Sequence, residues 1–478
     1  MSAQNDELKG NLVVCQTSQG LEIRAMLLRL TRHMAVFEVY GPTLVLRLSE
    51  VLEDFRIVLQ ERTVYSGRAV VQHLINTGII TVCEVSLDES AWRDVDFTVE
   101  MLRNGKLREQ FQSFLREWQK EYRIKAEYKA IVADMQSYFL GLQRWLDEVE
   151  LSMRSSPAEE LLRLEQEVAG ELAEPVIPCL NTLFRNFEPV AQRVDSELLP
   201  AHRSFMRRQL HPLVLGAPFA WRTFQKPLGY AGDYEMVNMI VRNQHEGASL
   251  FAKVVNTWFL QQPPAQAHRN RVRYLTDILT RESLRARRES RGARVFSIAC
   301  GPAQEVQNFL RHPTTTGLGD QVHFTLLDFN EETLGHVRSA LEEIQRQHSR
   351  RARIEYVRKS VQQVLKEATR PLAPQDLRYD LIYCAGLLDY LSDPVCQRLL
   401  GAMYDWLAPD GLLLVTNVEP ANPARHGMEH LLDWHLVYRT AAQLRALLPE
   451  PVRGEDCCVR SDETGFNLFL EVRKIRHA

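Results

Sequence analysis

Residues 297–305 read SIACGPAQE, and residues 324–329 read FTLLDF. The first stretch ends an apolar run, passes through small residues around Gly301 and takes on helical spacing from Glu305. The second is another apolar run, and it ends at Asp328. An open α/β sheet binds nucleosides with such a pattern, because backbone approaches the ligand where side chains are small and a carboxylate binds both ribose hydroxyls. We therefore predict a site for a nucleoside-bearing cofactor here.

Two later segments predict further strands of the same sheet. Residues 379–390 read YDLIYCAGLLDY, and residues 407–417 read LAPDGLLLVTN, which is a helix end, a turn and a buried strand. Strands that alternate with helices of this size indicate a parallel, doubly wound sheet. The predicted fold class is thus a multidomain α/β protein with a C-terminal Rossmann-like sheet.

In their order along the chain these segments resemble the class I S-adenosylmethionine-dependent methyltransferases, over about residues 270–478. The resemblance implies S-adenosylmethionine as cofactor, with the small-residue turn at its methionine part and Asp328 at its ribose. Ser297 and Ser360 stand where many relatives have acidic residues. The cofactor-binding residues implied in this way are Ala299, Cys300, Gly301, Pro302, Ala303, Glu305, Asp328, Phe329, Ser360, Val361, Cys384, Ala385 and Gly386.

Two other stretches carry a narrower likeness. Residues 226–238 (KPLGYAGDYEMVN) and 428–440 (MEHLLDWHLVYRT) are similar to parts of bacterial extracellular-factor (3-hydroxypalmitic acid methyl ester) biosynthesis methyltransferases. That resemblance implies methylation of a fatty-acid-type carboxylate. Two alternatives stay open: an N- or O-methyltransferase of another metabolite, and a regulatory or scaffold protein that only senses the cofactor.

The same stretches supply the candidate catalytic and substrate-binding residues. A carboxylate acceptor is ionised at neutral pH and needs a cation and an apolar groove, whereas an amine or hydroxyl needs a base. Tyr230, Asp233 and His430 are the candidate bases, and residues 229–234 are either a loop that closes over a ligand or a surface turn. The candidate substrate-binding residues are Tyr234, Arg425, His426, Glu429, Trp434, Tyr438 and Arg439, most of them on a helix predicted beyond a strand's C-terminal end.

No metal site is predicted. The step from His430 to His435 separates the two rings on a helix, and the eight cysteines lack the paired spacing of a zinc site. We expect the cysteines to be reduced thiols.

The N-terminal hundred residues predict a small β-barrel. Short β-rich runs occupy residues 44–48, 55–59, 67–71 and 78–85. This part resembles a PilZ-type domain, a family that binds cyclic diguanylate through an arginine motif and a second motif with an acid and a glycine. Arg29 and Arg32 are candidate remnants of the first motif, but residues 48–52 lack the acid and the glycine. We therefore favour a structural or docking role for this domain over nucleotide binding.

The middle of the chain is predicted to be helical. Residues 107–140 lack glycine and proline, and apolar residues recur at three- and four-residue steps from Phe111 to Val149. This long helix either packs on its own chain or forms a homodimer. Prolines 175, 178, 200, 212 and 227 are expected to punctuate a helical unit that caps the cofactor face. The predicted domains are a barrel (1–100), a long-helix connector (101–154), a helical cap (155–265) and the methyltransferase domain (266–478).

Composition narrows the class of partner. The 478 residues are 45% hydrophobic and 25% charged with a formal net charge of −3, which gives no general attraction to nucleic acid or anionic membranes. No apolar stretch approaches the roughly 20 residues that span a bilayer, and the polar start is unlike a secretion signal. We expect a cytoplasmic enzyme that acts on a small molecule, and the resemblance above implies that this molecule is lipid-like.

Overall fold

The computed structural model describes residues 11–40, 46–59, 62–76, 80–92, 123–154, 157–368, 378–449 and 457–475, with residues 107, 108, 111, 112, 115 and 452 besides. These ranges form an N-terminal barrel, a central group of helices and a C-terminal seven-stranded sheet. The predicted fold class is confirmed.

The barrel closes on itself with six antiparallel strands in the order β1-β2-β3-β6-β5-β4. They are β1 (Asn11–Gln16), β2 (Glu22–Leu30), β3 (Met34–Tyr40), β4 (Val51–Leu59), β5 (Arg62–Asn76) and β6 (Ile80–Leu87). Alternate side chains such as Val13, Phe37 and Phe55 fill the interior. The strand predicted at residues 44–48 is wrong where it is described: residues 46–50 form a turn, and Ser49 has a left-handed φ of 57°.

Seven helices whose bounds are described follow before the sheet begins. They are α1 (Ala126–Met153), α2 (Ala158–Gln192), α3 (Leu199–Val214), α4 (Pro218–Gln225), α5 (Tyr234–Arg242), α6 (Leu250–Leu260) and α7 (Pro263–Arg288). Helix α7 is continuous across residue 265, where the sequence predicted the end of the cap domain.

The predicted long helix is interrupted, and α1 begins only at Ala126. Its buried stripe includes Tyr128, Met135 and Phe139, which lie in one core with residues of α2, α3 and α6. The rings of Phe139 and Trp258 lie edge to face with centroids 6.5 Å apart. The stripe is therefore used within the chain, which is the first of the two roles that the sequence left open.

Prolines break fewer helices than predicted. Helix α2 runs through Pro175 and Pro178, and α3 runs through Pro212, whereas Pro200 stands in the first turn of α3. An internal proline removes one backbone hydrogen bond. The helices persist because tertiary packing, which includes the fully buried Phe187 of α2, outweighs that loss.

The C-terminal sheet has the strand order β12-β13-β11-β10-β7-β8-β9. Its strands are β7 (Arg294–Ile298), β8 (His323–Asp328), β9 (Arg353–Arg358), β10 (Tyr379–Cys384), β11 (Leu407–Val418), β12 (Cys457–Ser461) and β13 (Asn467–Arg473). Strands β7 to β11 pair in parallel, and β13 runs antiparallel to both β11 and β12. The order reverses between β7 and β10, and ligands of such sheets bind at that reversal.

Helices cover both faces of the sheet. The remaining helices are α8 (Gln304–Arg311), α9 (Glu331–Gln347), α10 (Val361–Ala368), α11 (Asp393–Asp405), α12 (Arg425–Leu431) and α13 (Ala441–Ala446). Helices α7, α8 and α9 share a core with one face, and α10, α11 and α13 share a core with the other. The predicted double winding is confirmed.

Helix α12 is shorter than predicted. It ends at Leu431, Asp433 has a left-handed φ of 52°, and the following residues up to Thr440 are not helical. The buried Asp433 carboxylate accepts hydrogen bonds from Arg207 of α3 and from Gln72 and Ser86 of the barrel. These hydrogen bonds stabilise the non-helical backbone at Asp433. Their partners are distant in the sequence, so helical spacing could not predict them.

Among the residues that the structure describes, no helix combines the length and apolar character needed to traverse a lipid bilayer.

The packing of α1 generates a stability prediction. Phe139→Ala should lower the free energy of unfolding by about 3–5 kcal/mol, because it leaves a cavity in the helical core. The adjacent Leu140 is half exposed, so Leu140→Ala should change it by less than about 0.5 kcal/mol. Chemical unfolding followed by far-ultraviolet circular dichroism measures both; equal losses would contradict this packing.

Candidate active site

A strained turn connects β7 to α8 at the carboxyl end of the sheet. Ala299, Gly301 and Ala303 have left-handed φ values of 55°, 52° and 48°. This region costs an alanine roughly 1–2 kcal/mol, and such strain is concentrated at functional sites. The turn is held because Cys300 N donates to Leu327 O at 2.9 Å. Backbone rather than side chains is thereby presented to the space above β7 and β8.

The Asp328 carboxylate lies at the tip of β8, next to this turn. It is 5% exposed and accepts hydrogen bonds from Gly301 N at 3.3 Å and from Asn330 N at 3.0 Å. Burial raises the pKa of Asp328, and the backbone donors and the Arg47 guanidinium oppose that rise. The sequence prediction that Gly301 and Asp328 adjoin is confirmed by this contact.

A continuous crevice runs from Asp328 along the turn. Its Asp328 end is lined by Phe329, Val361 and Tyr230, and its other end by Arg271 and Glu305. Both ends share the wall formed by Ala299, Gly301, Ala385, Gly386 and Tyr390. We call this space the crevice below.

Arg271 of α7 is a functional candidate that sequence reasoning missed. Its side chain is 8% exposed, and within the described part of the chain its guanidinium makes no hydrogen bond or ion pair. A Cβ on Gly386, which has a φ of 90°, would lie 2.8 Å from the guanidinium Nη1. A glycine is therefore required at 386, and the buried cation faces a crevice that can bring it an anion.

Glu305 of α8 lies at the same end. Its carboxylate accepts a 2.6 Å hydrogen bond from the Tyr383 hydroxyl, and burial raises its pKa. Ser297 lines this end too. An acidic group thus stands near position 297, although it comes from the helix and not from the strand.

The crevice opens into an apolar cavity of about 220 Å³. Pro264, His268, Met428 and Trp434 line both spaces. The residues that line the cavity beyond this junction include Phe184, Phe219, Ile240, Trp258, Phe259, Ala424 and Leu431. Helices of the central group therefore form much of the cavity wall, which matches the expectation that they cap this face of the sheet.

Two polar groups stand at the junction. Trp434 Nε1 donates to the Tyr390 hydroxyl at 2.9 Å, and no acceptor for the hydroxyl proton occurs among the described residues. His268 Nδ1 is 2.9 Å from Pro264 O, so the ring donates there and its Nε2 is unprotonated in the neutral form. Burial lowers the pKa of His268 to about 3.

The structure brings most of the sequence-predicted cofactor residues together. Those that line the crevice are Ala299, Cys300, Gly301, Pro302, Glu305, Asp328, Phe329, Val361, Ala385 and Gly386. Ala303 and Cys384 are fully buried in the cores beside it. Ser360 lies in an outer groove with Lys359, where it pairs with Gln363 at the start of α10.

Two of the three predicted bases make structural contacts away from the crevice. Asp233 is 2% exposed, caps the N-terminus of α5 and accepts two hydrogen bonds from Arg222. His430 is buried in the helical core, where Nδ1 is 2.8 Å from the Tyr128 hydroxyl. Neither lines the crevice.

The third predicted base, Tyr230, lines the crevice at the Asp328 end. Its ring packs 5.1 Å from that of Phe329. Burial and the Asp328 charge raise the pKa of Tyr230. Tyr230 therefore keeps its hydroxyl proton. It lies at the end of the crevice away from the junction with the cavity.

The predicted substrate residues divide in the same way. Trp434 lines the junction, and Tyr234 lines the Asp328 end while donating to Glu332. The others take part in local contacts. Arg425 forms an ion pair with Glu429 and stacks on Tyr438, and Glu429 also pairs with Arg203. Arg439 donates to Asp393 and to the carbonyls of residues 388 and 391, and the backbone N of His426 donates to Glu188. These polar side chains belong to a buried network. The sequence alone does not distinguish such a network from a binding surface.

No cluster of three metal-ligating side chains occurs among the residues described. The charged side chains that line the crevice among the described residues are Arg47, Arg271, Glu305, Asp328, Lys359 and Asp389.

Residues 296–413 match a family model described as a methyltransferase domain. A search of curated proteins finds no match.

Several solved structures are similar to this chain at low sequence identity. A possible exported protein of Bordetella parapertussis is 18% identical, with a TM-score of 0.40 over 63% of this chain and 97% of that one. The N-methyltransferase NodS of Bradyrhizobium japonicum WM9 is 17% identical, with a TM-score of 0.31 over 50% and 97%. The magnesium protoporphyrin IX methyltransferase of Synechocystis PCC 6803 is 11% identical, with a TM-score of 0.31 over 44% and 84%.

The family match spans the turn, Asp328, Gly386 and the strands that carry them. The predicted enzyme class is confirmed at this level, because residues 296–413 match a model of a methyltransferase domain.

Proposed function

We propose that this protein transfers a methyl group from S-adenosylmethionine to a small acceptor with an apolar body. One observation carries the proposal. A single crevice has a buried carboxylate at one end, a buried cation at the other and an apolar cavity beside it. These features match the ribose, the amino-acid part and the acceptor respectively.

The residues present fit the cofactor. Asp328 would accept hydrogen bonds from the ribose hydroxyls, with the apolar groups of Phe329 and Val361 beside it for the adenine. Arg271 would bind the methionine carboxylate, which satisfies its unpartnered guanidinium. Glu305, on the same wall, would accept from the ammonium group. When bound, S-adenosylmethionine supplies an electrophilic methyl carbon on a positively charged sulfur.

The finer proposal is that the acceptor is a fatty-acid-type carboxylate and the product its methyl ester. The cavity is lined mainly by apolar and aromatic side chains, which suits an acyl chain. Of the two polar groups described at the junction, His268 is a weak base, because burial lowers its pKa to about 3. Burial keeps the Tyr390 hydroxyl protonated by raising its pKa, so that it is a hydrogen-bond donor. A weak base and a donor suit an oxygen that is already ionised.

The chain's contribution to the reaction is then mainly positioning. The Tyr390 hydroxyl, itself held by Trp434, would orient the acceptor oxygen toward the crevice. The aromatic wall of the cavity excludes water from the apolar body of the acceptor. Alignment of this kind supplies about 7–11 kcal/mol of barrier lowering without a covalent enzyme intermediate.

A second candidate function has one observation in its favour. The His268 ring donates to Pro264 O and so presents its unprotonated Nε2 as a base for a hydroxyl or amine acceptor. The chemistry of the product separates the two candidates.

Removal of the Asp328 charge should weaken cofactor binding. We expect Asp328→Asn to raise the Kd for S-adenosylhomocysteine by about 10- to 100-fold, since hydrogen bonds to a charged acceptor are lost. Isothermal titration calorimetry measures this, and the exposed Asp277→Asn on α7 is the matched control. Wild-type protein that binds neither S-adenosylmethionine nor S-adenosylhomocysteine at millimolar concentration would end the proposal.

Arg271→Gln should discriminate between ligands that have and lack the amino-acid carboxylate. The Kd for S-adenosylhomocysteine should rise by about tenfold or more, because one charge-assisted hydrogen bond is lost. Binding of adenosine should be unchanged. The exposed Arg288→Gln on the same helix should alter neither value. If Arg271→Gln spares S-adenosylhomocysteine and impairs only turnover, the guanidinium binds the acceptor instead.

A bulky side chain in the cavity should exclude a long acyl acceptor. Ala424 lines the cavity but not the crevice, so Ala424→Trp should raise the KM for palmitate or 3-hydroxypalmitate with little change in the Kd for S-adenosylhomocysteine. The exposed Ala421→Trp is the control.

The assay uses methyl-labelled S-adenosylmethionine, and the expected product is a base-labile methyl ester. Label that survives mild base, or that enters only alcohols or amines, would favour the second candidate.

A further inference from the structure

The turn at residues 46–50, between strands β3 and β4 of the barrel, is hydrogen-bonded to residues outside the barrel. Leu48 N donates to Tyr390 O at 3.2 Å, and Val51 N donates to Gly229 O at 2.8 Å. Between them the Ser49 hydroxyl donates to His435 O at 2.9 Å and accepts from His435 N at 2.6 Å. Backbone groups on both sides are thus satisfied across the interface, which positions this turn closely.

Arg47 projects from that turn into the crevice. Its Cζ lies 4.4 Å from the ring centroid of Phe329 and 5.3 Å from that of Tyr230. The residue is 6% exposed and lines the same pocket as Asp328. A cation from the barrel therefore stands at the crevice end where the nucleoside is proposed to bind.

The hydrogen bonds of Arg47 are incomplete. Its Nη2 donates to the Ser18 hydroxyl at 2.9 Å. Its buried Nε forms an ion pair with the Glu50 carboxylate at 3.8 Å but has no hydrogen-bond acceptor among the described residues. An unsatisfied buried donor is costly, and it is retained most readily where a ligand supplies the acceptor.

We infer that the barrel contributes a cofactor-binding residue, with Arg47 donating to the nucleoside part of S-adenosylmethionine. The inference rests on the proposed function and extends it to a part of the chain outside residues 296–413. Purine nitrogens and ribose oxygens are acceptors of the kind that Arg47 lacks. Barrel docking and nucleoside binding then strengthen each other by the same factor, because they share this side chain.

A purely structural Arg47 would only pack against Phe329 and Tyr230. The two roles differ in their effect on Asp328, whose ionised form Arg47 favours. The other titratable side chains described near Asp328 are the Tyr230 and Tyr234 phenols, the Cys300 thiol and Lys359, and burial raises the pKa of the two phenols and of the thiol. Loss of the guanidinium should therefore shift the pH dependence of binding, whereas loss of packing alone should not.

The test is calorimetry on the full-length chain with S-adenosylhomocysteine and with adenosine. Arg47→Met should raise both Kd values by about tenfold. It should also move the decline of affinity at acidic pH to a higher pH, because Asp328 is protonated more readily. Arg47→Lys should keep the wild-type pH profile at intermediate affinity. The exposed barrel variant Arg56→Met should match wild type.

Ser49→Gly provides a second route if Arg47→Met does not fold. It keeps the left-handed backbone of residue 49 and the Arg47 side chain but removes both hydroxyl hydrogen bonds to His435. A weaker affinity for adenosine would support the coupling. Wild-type affinity and pH profile in Arg47→Met, or in both Arg47→Lys and Ser49→Gly where Arg47→Met is unfolded, would overturn the inference. Failure of the wild type to bind would instead overturn the proposed function.

Discussion

The crevice depends on one constraint, the approach of the Gly301 amide to the buried Asp328 carboxylate. A carboxylate with so little exposure is tolerated only where donors reach it, and here backbone supplies them. The turn makes that possible by adopting left-handed φ values at Ala299 and Ala303. The strained turn thus fixes an anion beside a wall made mainly of small residues, and the cation at the other end of the crevice lies along the same wall.

The three parts of the chain meet at a second buried charge. Asp433 accepts hydrogen bonds from Arg207 of the helical group and from Gln72 and Ser86 of the barrel, and its pKa is held well below the usual range by Arg207 and His435 against the effect of burial. Loss of one partner would leave the buried Asp433 charge poorly compensated and strongly destabilise the fold. These contacts therefore favour one relative orientation of the three parts. The barrel is therefore held in one orientation on the crevice, and that orientation is what allows a barrel side chain to lie beside Phe329.

Sequence reasoning succeeded where function depends on neighbours along the chain. The turn around Gly301 and the acid that ends β8 are local patterns, and both line the crevice as predicted. Asp233 and His430 lie outside the crevice, and the sequence does not distinguish a capping acid and a core histidine from a catalytic pair. No sequence pattern singles out Arg271, since it lies on a helix rich in arginine. Only the lack of a hydrogen-bond or ion-pair partner among the described residues distinguishes it from the others.

The sequence by itself determined the sheet, its cofactor turn and the presence of a barrel, because alternating apolar strands, helical spacing and small residues act through local backbone preferences. Only the tertiary structure decided that α1 packs inward, that the chain leaves helix α12 before Asp433, and that Arg47 and Arg271 converge on one crevice. These features arise from contacts between residues that lie tens to hundreds of positions apart. Their stability depends on burial and on charge pairing in the folded chain, which no local pattern encodes.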